Sequence, residues 1–540
     1  MNLIVFAKFK AKSYKKSKKH FRIIILKILF CCVSCLYNIN PITMTPLFDN
    51  IALCLSGGGF RSAAYSLGVL KYLDKINLRA NIKSISTVSG GSITGIKYVE
   101  WLSGGGVEFQ TFHDALYTYL SDNNLHQNAV SILNDDAIWQ DSRYKHKDRN
   151  LINSFSIAYD TLLNGKTLGD LNVSGCHLKE YVFNATDMTG ALQFRFKNTG
   201  VFGNNSFKQK MVGISSKDLF PKIKLGDVLA ASSCFPGGFE PIIFPNDFIA
   251  GVPSPDLPIV PLMDGGIVSN QGIDNYLIKS EIGNTLLFLA DVENYRINNP
   301  FEKVISGKFI DVFTKLTSGT TTILLAILGI LLWSIYGDNK FAMVAAIVLL
   351  SIAFCLGLLQ WVIYYLLQKS GEKIGLKDVL VFHPRRYGIY LVNRLTSFKS
   401  VAESIFLKNN RRKGLDFLYS KLDAEKGFAP ILCPIYRLTS TDESETRNWH
   451  YINSKLGDPY PSTKMLETVN LAAGFGTTLW FDDKDREAVL AALVKTGEMT
   501  ACYSLLTYLL SEENEGRLAC SDYPVFEILK ADYVAFQHEI

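Results

Sequence analysis

The sequence predicts an α/β fold with a mostly parallel central sheet, interrupted by a transmembrane helical hairpin. Three observations predict it. Two strand–glycine turn–helix units follow one another within residues 51–102, two uncharged apolar runs adjoin at 316–337 and 341–368, and the composition is that of a packed globular chain. Of 540 residues, 48% are hydrophobic and 20% charged, which excludes a disordered chain lacking the apolar area to offset its entropy. The mean hydropathy of +0.13 is high for a wholly soluble enzyme. The net charge of +6 conceals an asymmetry. Nine basic residues from Lys8 to Lys27 precede the first acid, Asp49, and beyond residue 43 acids outnumber bases by three. The body of the chain is therefore no polyanion binder, and nucleic acid is not an expected partner.

The first unit begins with the apolar run Ile51-Ala52-Leu53-Cys54-Leu55, of strand length. Ser56-Gly57-Gly58-Gly59-Phe60-Arg61 follows, and then a stretch with Leu67, Leu70 and Leu73 three apart, a helical stripe. A glycine turn at a helix N-terminus exposes backbone N–H groups that can hold negative charge. It can serve as a phosphate cradle or as an oxyanion hole. The phosphate readings fail in detail, because no Lys completes a P-loop and no third glycine completes a dinucleotide fingerprint.

An oxyanion hole needs a nucleophile nearby, and the second unit supplies one. Ile82 to Val88 reads as a strand, Ser89-Gly90-Gly91-Ser92-Ile93-Thr94-Gly95 as a sharp turn, and Ile96 to Leu102 as a helix. A serine walled by glycines on such a turn is a nucleophile elbow. Ser89 immediately follows the strand and is preferred to Ser92. The pattern departs from G-x-S-x-G in one place, with Thr87 where the first glycine belongs.

A serine hydroxyl needs a base. The histidine candidates His383, His450 and His538 stand in contexts that suggest surface or packing roles, and a His-dependent esterase is the alternative they leave. Asp264, in Met263-Asp264-Gly265-Gly266, is the better partner, since two glycines bring its carboxyl close to neighbouring backbone. The acidic pairs Asp135-Asp136 and Asp482-Asp483 read as solvated turns.

These pieces together resemble the patatin-like phospholipases, a family of lipid acyl hydrolases. Gly57-Gly58-Gly59-Phe60-Arg61 matches its G-G-G-x-[KR] loop, Ser89 with Gly91 its elbow, and Asp264-Gly265-Gly266 its D-G-[GA] motif. Val182 to Gly190 and Ala230 to Pro241 resemble two further blocks, so the likeness covers about residues 50–295. It implies a patatin-like three-layer α/β/α fold and a Ser89–Asp264 dyad working without histidine. It also implies an oxyanion hole of Gly57, Gly58 and Gly59, with Arg61 fixing the loop or neutralising charge. Neither metal nor cofactor is implied. The expected substrate is a membrane phospholipid or lysophospholipid. A non-hydrolytic membrane adaptor, its glycine loop merely holding an anionic headgroup, is the alternative from another class.

Leu316–Gly337 and Phe341–Gln368 are uncharged runs of 22 and 28 residues. About 20 helical residues cross the hydrocarbon layer, so both are long enough. Trp333, Tyr336, Trp361, Tyr364 and Tyr365 lie near their ends, where interfacial aromatics are expected. A buried helical hairpin in a large core is the alternative. Lys303, Lys308 and Lys315 before the hairpin, and Lys369, Lys373 and Lys377 after it, place both outer ends in the cytoplasm by the positive-inside tendency. An integral membrane protein of the inner or plasma membrane is expected, its catalytic domain facing the cytoplasm. The basic and apolar segment 1–43 reads as a surface anchor on anionic lipid, a weak export signal, or translation from a start upstream of Met44. The layout is then a catalytic domain at 47–300, the hairpin at 316–368, and a cytosolic part at 369–540 that packs back on the core. The ten cysteines form no metal-binding pattern and read as reduced structural thiols.

Overall fold

The computed structural model describes residues 48–293 except 201, 211–214, 252–256 and 278–285, together with 319–369, 394–424 except 399, 430–440, 461–510 and 523–538. The N-terminal segment 1–43, His383, His450, and the flanking lysines Lys303, Lys308, Lys315, Lys373 and Lys377 lie outside the described residues.

One sheet gathers nine strands among the described residues: β1 (Ile51–Leu55), β2 (Ile82–Val88), β3 (Glu180–Asp187), β4 (Leu192–Lys197), β5 (Phe202–Gly203), β6 (Ile242–Phe244), β7 (Val260–Asp264), β8 (Leu286–Asp291) and β9 (Ile431–Pro434). Their order is β5-β4-β3-β2-β1-β8-β9, and from β3 to β9 every neighbour is parallel. β4 and β5 extend the edge beyond β3 antiparallel, and β7 pairs antiparallel with the far end of β3 and with β6. A parallel sheet is covered on both faces, so its central strands read as unbroken apolar runs. β1 and β8 are buried at every residue. This is the expected α/β fold, with a mostly parallel sheet and flanking helices.

The described residues fall into two compact units. The first draws on the described residues of 48–233, 241–293 and 416–538, and the second on Cys234–Glu240 and the described residues of 319–415. In the first, the C-terminal part shares the sheet through β9, and helix Arg486–Leu510 packs along helix Gly59–Lys75. The crossing is close because both helices present glycine there. A Cβ on Gly68 would fall 1.9 Å from the Val494 carbonyl oxygen, and one on Gly497 2.3 Å from that of Tyr65. Lys71 pairs with Glu498 and Lys75 with Asp532, each at 2.8 Å.

The second unit holds a hairpin of helices Gly319–Tyr336 and Lys340–Lys369. Gly329 lets Leu350 approach, and Gln360 donates to Thr322 at 3.0 Å. Trp333 and Trp361 are exposed. Among the described residues two helices are long and apolar enough to cross a membrane, Lys340–Val362 and Arg486–Leu510. Only 11% of the first window is buried, against 89% of the second. The first arm of the hairpin, expected to be long enough, has a shorter apolar stretch, Thr321–Tyr336.

Candidate active site

Two adjacent parallel strands deliver two turns to one place. β1 ends at Leu55, and the chain passes through Ser56-Gly57-Gly58 into helix Gly59–Lys75. Gly58 and Gly59 take φ of 149° and 58°, conformations open to glycine and costly for other residues. β2 ends at Val88, and Ser89 leads into helix Gly90–Ser103 with φ 51° and ψ −124°. Such a backbone on a non-glycine residue stores about 1–3 kcal/mol and persists only where neighbours hold it.

The neighbours are identifiable. The Ser89 N–H donates to Ser232 Oγ at 3.0 Å, and Ser232 in turn donates to the Asn184 carbonyl at 2.7 Å. Ser92 Oγ lies 2.8 Å from both Ser232 Oγ and Thr87 Oγ1. Thr87 occupies the elbow's usual first glycine position, and its methyl fits over Gly95, where a Cβ would come within 2.2 Å of it. The missing glycine is thus offset by another one turn into the helix. The two turns touch. A Cβ on Gly90 would fall 2.0 Å from the Gly59 carbonyl oxygen, and one on Gly57 3.1 Å from Ser89 Cβ.

Asp264 closes β7, whose pairing sets it opposite Ala185 of β3. Its carbonyl accepts from Thr186 Oγ1 at 2.8 Å, and its Oδ1 from the Gly266 N–H at 2.7 Å. Burial pushes its carboxyl up to about 6, while hydrogen bonds from the Ser89 hydroxyl and the Gly266 N–H pull it back down. Ser89 and Asp264 retain 8% and 6% exposure, so the pair sits just beneath the surface. No histidine among the described residues acts on the Asp264 carboxyl.

The glycine loop requires one correction. Gly57 was expected to supply an oxyanion donor, but its N–H already donates to the Asn270 carbonyl at 2.9 Å. Gly58 and Gly59 are left: among the described residues their N–H groups meet no acceptor. Arg61 is buried, and its Nη1 donates to the Phe475 carbonyl at 2.7 Å. Burial lowers its pKa, and the nearby Glu293 and Asp291 carboxylates raise it. Ser232, Asn184 and Asn270 are site residues that sequence reasoning passed over as such. Ser232 and Asn184 lie inside the motif blocks, but only the folded chain shows what they hold.

Residues 53–275 match the patatin-like phospholipase family. Comparison with curated proteins gives no match. Among solved structures, the chain is similar to human GIVD cytosolic phospholipase A2 at 13% identity and a TM-score of 0.31, covering 50% of this chain and 45% of that one. It is also similar to VipD from Legionella pneumophila, again at 13% identity, with a TM-score of 0.23 over 90% and 91% of the two chains. This chain thus spans less than half of the cytosolic phospholipase. Residues 53–275 are thus similar to a patatin-like phospholipase domain.

Proposed function

We propose that the protein is a membrane-anchored serine acyl hydrolase that cleaves carboxylic esters of phospholipids or lysophospholipids. The observation that carries this reading is the strained Ser89 on a helix N-terminus beside the buried Asp264 carboxyl, on which its hydroxyl acts. Asp264 takes the hydroxyl proton as Oγ attacks the ester carbonyl. The oxyanion forms against the Gly58 and Gly59 amides, at the positive end of helix Gly90–Ser103. Collapse releases the alcohol portion, which carries the proton from Asp264 away and leaves an acyl-serine. Water then attacks the acyl carbon, giving its proton to Asp264, and the proton returns to Ser89 as the fatty acid leaves. A carboxyl raised by burial suits this duty, because a base works best with a pKa near the operating pH. The exposed apolar hairpin supports anchoring, the lysines that flank it in the sequence favour a catalytic domain on the cytoplasmic side, and a tether within the same chain raises the effective concentration of lipid substrate.

Flotation of the full chain with phosphatidylcholine vesicles, combined with fluorophosphonate labelling and fatty-acid release, tests both parts. Wild type is expected to float, label and release fatty acid. Ser89→Ala is expected to float equally but neither to label nor to hydrolyse. Hydrolysis by Ser89→Ala would overturn the mechanism, and protein left at the bottom of the gradient would overturn the anchoring.

A further inference from the structure

A donor loop made of glycine has no side chains with which to hold its own shape. Here the support comes from some 400 residues further along the chain, outside the stretch that matches the family. The Phe60 N–H donates to the Thr478 carbonyl at 2.8 Å, and Arg61 reaches the Phe475 carbonyl at 2.7 Å. A Cβ on Gly59 would fall 2.2 Å from the Thr478 carbonyl oxygen and 2.6 Å from that of Thr477. One on Gly58 would lie 3.8 Å from the Thr477 methyl. The Phe60 and Phe481 rings pack with centroids 5.4 Å apart, and Phe475 stacks on Phe481 at 4.9 Å.

The segment is itself held from elsewhere. Asn123, at φ 56° just after helix Phe109–Asp122, accepts from the Phe481 N–H at 2.8 Å and donates to the Phe481 carbonyl at 3.0 Å. A buried side chain that satisfies both backbone groups of one residue fixes that residue in position and orientation.

We infer that residues 475–481 are a positioning brace for the amide loop, tied to it by Arg61 and clamped by Asn123. The inference rests on the acyl-hydrolase reading of the site. The brace aims the Gly58 and Gly59 amides at the point where negative charge develops. Loosening it costs transition-state stabilisation and leaves ground-state binding of the lipid largely intact.

The test uses the full chain in detergent with a fatty-acid p-nitrophenyl ester, and compares Asn123→Ala with Asn123→Asp. Asp keeps the acceptor for the Phe481 N–H and loses the donor to the carbonyl. Asn123→Ala is expected to lower kcat about tenfold with KM within twofold of wild type, and Asn123→Asp, whose second oxygen would face the Phe481 carbonyl and the Asp483 carboxylate, to lower it at least as much. A folded Asn123→Ala with wild-type kcat, or one that changes KM alone, overturns the brace. Should Asn123→Ala fail to fold, Arg61→Gln, which releases the other end, is read by the same criteria. Failure of the underlying reading looks different: wild type itself would then neither turn over the ester nor label at Ser89.

Discussion

The two turns at the centre of the protein have the same architecture and opposite uses. Each ends a buried parallel strand, each adopts a positive φ, and each opens a helix. The first spends its conformational freedom on backbone: Gly58 and Gly59 carry no side chain because Val292 and the carbonyls of Thr477 and Thr478 fill that space. The second spends it on one side chain, Ser89, and accepts strain to lift the hydroxyl toward Asp264. The glycine turn is braced by backbone from the C-terminal part, and the serine turn by a side chain, Ser232. A turn that offers amides must be kept clear of side chains, whereas a turn that offers a hydroxyl must be held against relaxing.

The largest expected effect lies where the two turns meet. Gly90→Ala would drive a methyl into the Gly59 backbone, 2.0 Å from its oxygen and 2.5 Å from its nitrogen. Loss of one oxyanion donor typically costs about 2.7–4 kcal/mol of barrier, so kcat is expected to fall at least 100-fold. Gly105→Ala is the control, because Gly105 also has a positive φ, 79°, yet meets nothing within 4 Å. It is expected to cost about 1 kcal/mol of stability and no rate, as read by thermal melting beside ester hydrolysis. An equal loss of rate in both variants would mean that strain, not contact, governs the site.

Next in size is the titration of Asp264. The base must be ionised, so kcat/KM is expected to fall tenfold per pH unit below about 6 and to level off above it. The same burial acts on stability. A carboxyl whose folded pKa is raised prefers to be protonated in the fold, so it costs nothing below its ordinary pKa near 3.8. The cost grows as pH rises toward 6 and is then constant, at about 3 kcal/mol for about two pKa units. Asp264→Asn is therefore expected to abolish turnover while stabilising the protein at pH 7.5 by up to that amount, and by less at pH 5. Urea unfolding at the two pH values reads this directly, and a gain independent of pH would show that the buried charge is not its source.

Much of this was legible in the sequence, and the boundary of legibility has a physical form. β1 and β8 stand out because buried parallel strands are continuous apolar runs, β2 stands out only by leading into the serine turn, since Lys83, Ser84, Ser86 and Thr87 interrupt it, and both turns stand out because glycine marks them. What braces those turns was not legible. The contacts of Asn270 with Gly57, Ser232 with Ser89 and Thr478 with Phe60 span from 143 to 418 positions, and two of the three use backbone carbonyls that every residue possesses. The apolar helices make the same point. Lys340–Val362 and Arg486–Leu510 both pass a test of length and composition, but one is exposed and the other buried. Glu498, Thr496, Thr500 and Gly497 set the buried one apart, since a helix lying against another with glycine at the crossing needs small and paired residues.

The smallest expected effect concerns the elbow's departure from the family pattern. Thr87 stands where the resemblance expects glycine, and Gly95 stands where its methyl needs room. If these two are one exchange, their substitutions must couple. Gly95→Ala alone overpacks the site at about 1–3 kcal/mol and pushes Thr87 off the hydroxyl of Ser92, which bonds Ser232 beneath the Ser89 amide. Thr87→Gly alone loses that hydrogen bond and leaves a void over Gly95. The double variant Thr87→Gly/Gly95→Ala removes the clash and fills the void, while an alanine inside a helix is favoured over glycine by about 0.5–1 kcal/mol. It is expected to be at least about 1 kcal/mol more stable than the sum of the single changes predicts, within the usual range for residues in contact, and to recover most of the rate lost in Gly95→Ala. Strict additivity in denaturant unfolding would mean that Thr87 is merely tolerated at the elbow. Coupling of that size would mean that the serine turn keeps its tightness by having moved its glycine from the strand into the helix.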